Sequence, residues 1–493
     1  MKYLLASLLI VPLFCLAQKT YVPDNAFEQR LIDLGYDDVL DDSVLTSNIN
    51  SVSNFGLGSS YPKVSNLTGI EGFTSLEELS CGYNLISSLD LSNNKVLKTL
   101  NCNENPLKNL NISQNTSLEF INLYLCPISK LDLSNNIALE YLRVERTKIT
   151  SLDVSNNKAL TLLICGECRS LKTLIINGAT NLEKLFAGTC DSLVSINIGN
   201  NSNMKEFGVS GSTQLKSIDI SGLDSLEKLY INQTGITKID LSNNQLLEYF
   251  VCSKSKIKSL DISKNNNLER LECSYCDSLS YINIINPNLL RLECDHCSLL
   301  KELSLRDAVS LEILNCSYST LERLNVSNNG SLKQINCEHN MLTCLNLKNG
   351  NNQLINSIKT SENYSLLCVD VDDSAYSTNN PIWKNGVDNW TKFSEDCRSS
   401  CTNTGIQKNT FEQSIIVYPN PNLGSFSIEV SFKKPSDISI FITNTLGEVV
   451  YTDFESNISK QNISINLDLA DGLYYVRVLT VEGIELFPII VAK

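Results

Sequence analysis

A leucine-rich unit of 21 or 22 residues recurs thirteen times between residues 76 and 352, and that period decides what the chain can fold into. Units begin at 76, 97, 118, 139, 160, 182, 204, 226, 247, 268, 289, 311 and 332. The first position is Leu in every unit except at Met204. The fourth is Leu, Ile or Phe, as at Leu79, Ile121 and Phe207, and the sixth is apolar or Cys, as at Cys81, Val144 and Ile231. The ninth is Asn, Cys, Ser or Thr throughout, as at Asn84, Cys126, Ser212 and Thr234. Alternate side chains of a strand share a face, so the fourth and sixth positions point inward together. The first position closes the turn onto the same core. A small polar group at the ninth bonds loop backbone that would otherwise be buried unpaired. One unit cannot bury its own face, but stacked units can, and the columns therefore predict a solenoid.

These columns resemble the leucine-rich-repeat pattern L-x-x-L-x-L-x-x-N/C-x-L, over more than half the chain. The resemblance implies a β-rich solenoid that serves as a binding platform. Many units carry the pattern twice, as in Ile86-x-x-Leu89-x-Leu91-x-x-Asn94. The second half is thus a candidate second strand, in a coil flatter than the usual horseshoe.

The flanks break the period. Residues 1–17 read as a signal peptide, with Lys2, an apolar run to Leu16 and cleavage after Ala17. No later run of about 18 apolar residues predicts a transmembrane helix. Residues 18–75 form a candidate N-terminal cap, with a helix from Asn25 to Leu34 that places Phe27, Leu31 and Leu34 on one side behind an Asp24 N-cap. Residues 353–397, which hold Trp383 and Trp390, are a candidate C-terminal cap, and the polar stretch 398–413 is a linker. Alternating runs in 414–493, separated by Gly, Asn and Pro, predict a small antiparallel β-sandwich.

That tail resembles the type A C-terminal sorting domain of the type IX secretion system. The matching residues are Tyr418-Pro419-Asn420-Pro421 with Gly424 and Phe426, then Leu446-Gly447-Glu448-Val449-Val450, then Gly472-Leu473-Tyr474-Tyr475-Val476. Phe487-Pro488 departs from the pattern, where basic residues are more usual. The resemblance implies recognition by an outer-membrane translocon and removal of the tail. It also implies a final place outside the cell or on its surface, after passage through the periplasm.

Chemistry is sparse. A net charge of −14 argues against nucleic acid or an anionic bilayer as partner. Three CxxC pairs, Cys165/Cys168, Cys273/Cys276 and Cys294/Cys297, have metal-ligand spacing, but each is the sixth and ninth column of one unit. Thirteen of the 18 cysteines lie in those two columns, as small core residues or as substitutes for Asn, so no metal is expected. Cys368 and Cys397 bracket the C-terminal cap and are the candidate structural disulfide, with Cys397–Cys401 the alternative. His296 and His339 sit on one edge two coils apart, about 10 Å, without a nucleophile or acid beside them. Neither catalysis nor a cofactor is expected. Asp90, Asp132, Asp153, Asp240 and Asp261 recur in LDLSNN-like stretches and read as a solvated acidic row rather than a calcium site.

The third and fifth positions face solvent and are polar in most units, as at Glu78 and Ser80. The middle coils differ: there they hold Phe120, Tyr141, Leu162, Ile164, Phe186, Tyr230, Tyr249 and Val251, interrupted by Lys184, Glu206, Gly208 and Lys228. Apolar surface running for roughly 30 Å marks a candidate site for a protein or glycan partner. A secreted or surface binding protein for adhesion or recognition is the reading this favours. An enzyme-associated module and a structural surface-layer protein are the alternatives.

Overall fold

The computed structural model describes residues 18–58, 62–397, 414–445, 448–480 and 483–492. The expected signal peptide, the linker 398–413 with Cys401, and Leu446 and Gly447 of the second tail motif lie outside them. The chain divides into two compact units, with the boundary between Cys401 and Thr402.

The first unit is a parallel β-solenoid. Its main sheet has fifteen strands of three residues each, one per coil, all in register. Leu79, Leu100, Ile121 and Leu142 stack in the middle of successive strands, and each is fully buried. The sheet extends beyond the thirteen units read from the sequence. Asn54–Gly56 pairs with Glu78–Ser80 at one end, and Gln334–Asn336 pairs with Ser357–Lys359 at the other.

The second half of the coil forms strands only in patches. These are a three-stranded sheet from Ser151–Asp153, Thr173–Ile175 and Ser195–Asn197, a pair from Ser259–Asp261 and Tyr281–Asn283, and a four-stranded sheet from Arg323–Asn325 to Lys392–Ser394. Asx turns follow whether or not a strand forms. Asp90, Asp132 and Asp240 each accept the backbone N–H of the Ser two residues on, and the same bond holds Asp153 and Asp261. The acidic row therefore shapes its own turns.

Two side-chain ladders fix the coil corners. At the first corner, Nδ2 of Asn105 donates to the Cys81 carbonyl of the preceding coil at 2.9 Å, and Asn340 treats Cys316 in the same way. Where Cys replaces Asn the thiol takes over that bond. The Sγ of Cys126, Cys168, Cys276 and Cys297 lies 3.0–3.3 Å from the carbonyls of Cys102, Val144, Cys252 and Cys273. The CxxC pairs are thus one core residue and one corner donor. Among the described residues no group of three or more His, Cys, Asp or Glu is placed to hold a metal ion.

At the second corner Asn115, Asn136, Asn157 and Asn265 are fully buried, and each Nδ2 donates to two carbonyls of the preceding coil at 2.7–3.1 Å.

At the N-terminal end the helix Asn25–Asp33 buries Phe27 and Leu31 against Phe55 and Phe73. The Asp24 Oδ1 accepts from the Ala26 and Phe27 amides, and its Oδ2 holds Ser65 and Asn66, so one carboxylate caps the helix and ties it to the first coil. Leu34, expected on the buried side, lies past the last helical residue and is 40% exposed. At the C-terminal end Trp383 is fully buried against Tyr376 and Phe393, a disulfide joins Cys368 to Cys397, and Cys344 is disulfide-bonded as well.

The second unit is a single five-stranded antiparallel sheet. Its two long strands, Ser425–Asn444 and Val449–Asn466, pair with each other, with bulges between Ser431 and Ile438. One face buries Phe426, Ile428, Val430, Ile440, Val476 and Val478.

Candidate binding face and sorting motif

The outward face of the main sheet brings the eight predicted residues into one row of coils. Phe120 and Tyr141 hold the third position of neighbouring coils, and their rings stack with centroids 4.4 Å apart and planes 10° apart. Leu162 follows in the same column, and Ile164, Phe186, Gly208, Tyr230 and Val251 succeed one another in the fifth. Tyr230 meets Tyr249 edge-on at 5.5 Å and 85°. Coils spaced about 4.8 Å apart let large neighbours cover one another. The residues are consequently half-buried rather than exposed, and Val251 is only 8% exposed.

Charged groups border this row. Glu272 accepts the Tyr249 hydroxyl proton at 2.6 Å, and burial together with that carboxylate pushes the phenol up to about 12. Burial, then the charge and hydrogen bond of Glu206, hold Tyr230 above its ordinary value too. Arg143 pairs with Glu145 at 2.6 Å and lies over the Tyr124 ring, 4.4 Å from its centre.

Along the rim, the eighth position of each coil is left-handed. Its φ is 51–60° in residues as bulky as Tyr83, Leu125, Arg146 and Tyr318. Four of these rings, Tyr275, His296, Tyr318 and His339, form a continuous stack with centroids 4.1, 4.5 and 4.1 Å apart. Asp295, itself buried, holds Nδ1 of His296 at 2.8 Å. The histidines alone predict neighbours two coils apart; Tyr318 between them and Tyr275 one coil before His296, at the same eighth position, are the signal that completes the stack.

In the tail, the Tyr418-Pro419-Asn420-Pro421 segment is bound to the last strand. Asn420 donates to the Pro488 carbonyl at 2.7 Å and accepts from the Ile490 amide at 2.8 Å. Asn422 continues the pairing with Ile490 and Ala492, and its side chain caps Gly424. Tyr474 is buried and donates to the Ala470 carbonyl, just ahead of Gly472.

Residues 416–491 match the family described as "Secretion system C-terminal sorting domain". Among curated proteins, none matches the chain. The solved functional domain of InlJ from Listeria monocytogenes, whose description includes a cysteine ladder, is similar at 20% identity and a TM-score of 0.51, covering 96% of this chain and 98% of that one. An internalin (inlF) from Listeria monocytogenes is similar at 18% identity and a TM-score of 0.41, over 65% of this chain and 90% of that one. Among the described residues no helix is long and apolar enough to cross a membrane. The chain is a leucine-rich-repeat solenoid followed by a type IX secretion-system C-terminal sorting domain, and that domain implies export to the cell surface or beyond.

Proposed function

We propose that this protein is a secreted or cell-surface recognition protein that binds a protein or glycan partner through the outward face of its repeat sheet. The sorting domain engages the outer-membrane translocon and is removed, and the repeat array is the working part. The observation that carries this reading is the half-buried row from Phe120 to Val251, apolar and aromatic on a sheet whose outward positions are otherwise mostly polar. A rigid surface that keeps aromatic side chains in contact with solvent suits association, because little side-chain freedom remains to be lost on binding.

The test begins with a pull-down and a glycan array using the mature chain. The variant Tyr141→Ser/Phe186→Ser/Tyr249→Ser is then compared with the parent for the ligand found. Binding falls by more than about tenfold, as expected for aromatic anchors, while circular dichroism shows the solenoid intact. Unchanged affinity in the folded variant removes this face as the site.

A further inference from the structure

In the sorting domain the strand Ser414–Tyr418 stands at the end of the strand order and pairs on one side only, with Ser425–Asn444. Among the described residues no backbone hydrogen bond reaches its other side. The strand reads Ser-Ile-Ile-Val-Tyr, without charge, Pro or Gly. Ile415 belongs to the core, whereas Ile416 is 50% exposed. One strand further in, the residues paired with Ile416 and Tyr418 are Glu429 and Ser427, so the outward face is polar there and apolar at its rim. Tyr418 is drawn back over the sheet, where its hydroxyl accepts from Asn462 two strands away at 3.2 Å. The rim itself is left to the backbone and to Ile416.

The other edges of this unit are closed or charged. Asn420 and Asn422 bond along Gly483–Val491 at Pro488 and Ile490. Val449–Asn466 carries Asp453, Glu455 and Lys460. Charge on an edge opposes pairing with another chain, and an uncharged β-branched edge invites it. What such an edge recognises is set by its own groups. Outward N–H and C=O alternate along it, and another extended backbone supplies the complementary series at the same spacing.

We propose that Ser414–Tyr418 pairs antiparallel with the same strand of a second copy of this chain, joining two sorting domains edge to edge. With the two-fold axis at Ile416, Ile416 faces Ile416, Ile415 faces Val417 and Ser414 faces Tyr418. The three central pairs set apolar against apolar, and no like charges meet anywhere along the strand. A second copy brings this register by symmetry. The arrangement is isologous and closes at two copies, because each partner has used the edge that made the pair. One strand pair is smaller than the ~1,000 Å² of a stable complex, so the dimer is weak and reversible. It belongs to the tail-bearing chain and ends when the tail is removed. The repeat sheet and its ligand play no part in it.

The test is sedimentation velocity on residues 18–493, from about 1 µM to several hundred micromolar. The sedimentation coefficient rises with concentration from monomer towards dimer. Ile416→Lys and Ile416→Glu each put like charges face to face on the axis and weaken the dimer by at least about tenfold. Mixed one to one, with a fluorophore on one of them, the two variants associate again as a hetero-pair. Ile416→Thr, uncharged and β-branched, stays within about threefold of the parent and shows that the edge tolerates substitution. A parent chain that remains monomeric over the whole range overturns the proposal and leaves the edge to a strand of another protein. So does a dimer that Ile416→Lys does not weaken, or a mixture that associates no better than either charged variant alone.

Discussion

Among the described residues every strand between 18 and 397 is three residues long, whereas the sorting domain is built around strands of 20 and 18 residues. A long antiparallel strand carries its own register, because a one-residue slip would turn its whole apolar face outward. A three-residue strand has too few ladder bonds for that. In the solenoid register is set at the corners, by Asn and Cys side chains that hold the carbonyls of the coil before. The same buried β surface is thus specified by strand length in one unit and by a few buried polar groups per coil in the other. The two units should accordingly fail under different insults.

The largest expected difference is alkaline. Burial pushes the thiols of Cys190, Cys297 and Cys337 up to about 12, from an ordinary value near 9. Between those values the unfolded chain releases protons that the folded chain keeps, so stability present below pH 9 is lost as pH rises towards 12. Each such thiol removes about 1.4 kcal/mol per pH unit in that window. Cys276, held down to about 7 chiefly by its hydrogen bond with Cys252, opposes this only between pH 7 and 9. The sorting domain has no cysteine, and both tryptophans lie in the first unit, so tryptophan fluorescence follows the solenoid alone. Its urea midpoint should hold from pH 6 to 8.5 and fall sharply by pH 11; a midpoint that does not move would refute the thiol argument.

Next in size is a corner deletion. Asn136→Ala removes the side-chain donor shared by two buried carbonyls, those of Ile112 and Asn115, each of which keeps one backbone N–H. The cost should be about 2 kcal/mol, measured by denaturant unfolding, since two buried hydrogen bonds are lost at roughly 0.5–1.5 kcal/mol each. In the sorting domain Asn462→Ala, on an exposed strand position, should cost less than about 0.5 kcal/mol. Similar losses at the two sites would erase the distinction between corner-set and length-set register.

The smallest effect has the opposite sign. Gly208→Ala places a methyl in ordinary contact with the Phe186 and Tyr230 rings, 3.5 and 3.8 Å away, on a strand whose φ is not positive, and should stabilise by about 0.5–1 kcal/mol, read as a small rise in melting temperature. A loss of stability would mean that the two rings do not leave room for the methyl.

What the sequence makes legible follows from periodicity. The inward columns, the cysteines as core and corner residues, and the tail motifs are one-dimensional patterns, and Leu79, Cys126 and Tyr474 can be assigned from spacing alone. Three features escape it because they depend on lateral neighbours a coil away. Gly208 looks like a gap in a row, since only the fold brings the rings beside it. The stack from Tyr275 to His339 is invisible when the histidines are considered without Tyr318 on the coil between them and Tyr275 on the coil before. The outermost strands, Asn54–Gly56 and Ser357–Lys359, join the sheet through backbone pairing without the full leucine spacing. The half-burial of the platform residues has the same origin: spacing gives the face of a side chain but not how far its neighbours cover it.

The corner amides all reach the same way. Asn105 to Cys81, Asn115 to Leu91 and Asn136 to Ile112 are each bonds from a later coil to an earlier one. The oxygens of the first-corner amides answer in the other direction, since the Ile86 N–H of the earlier coil donates to Asn105 Oδ1. An interior coil therefore needs both neighbours to satisfy its corner groups, and a coil at the end of the stack has to borrow partners from outside the repeat, as the Glu362 and Asn363 amides do from the Asp388 carboxylate.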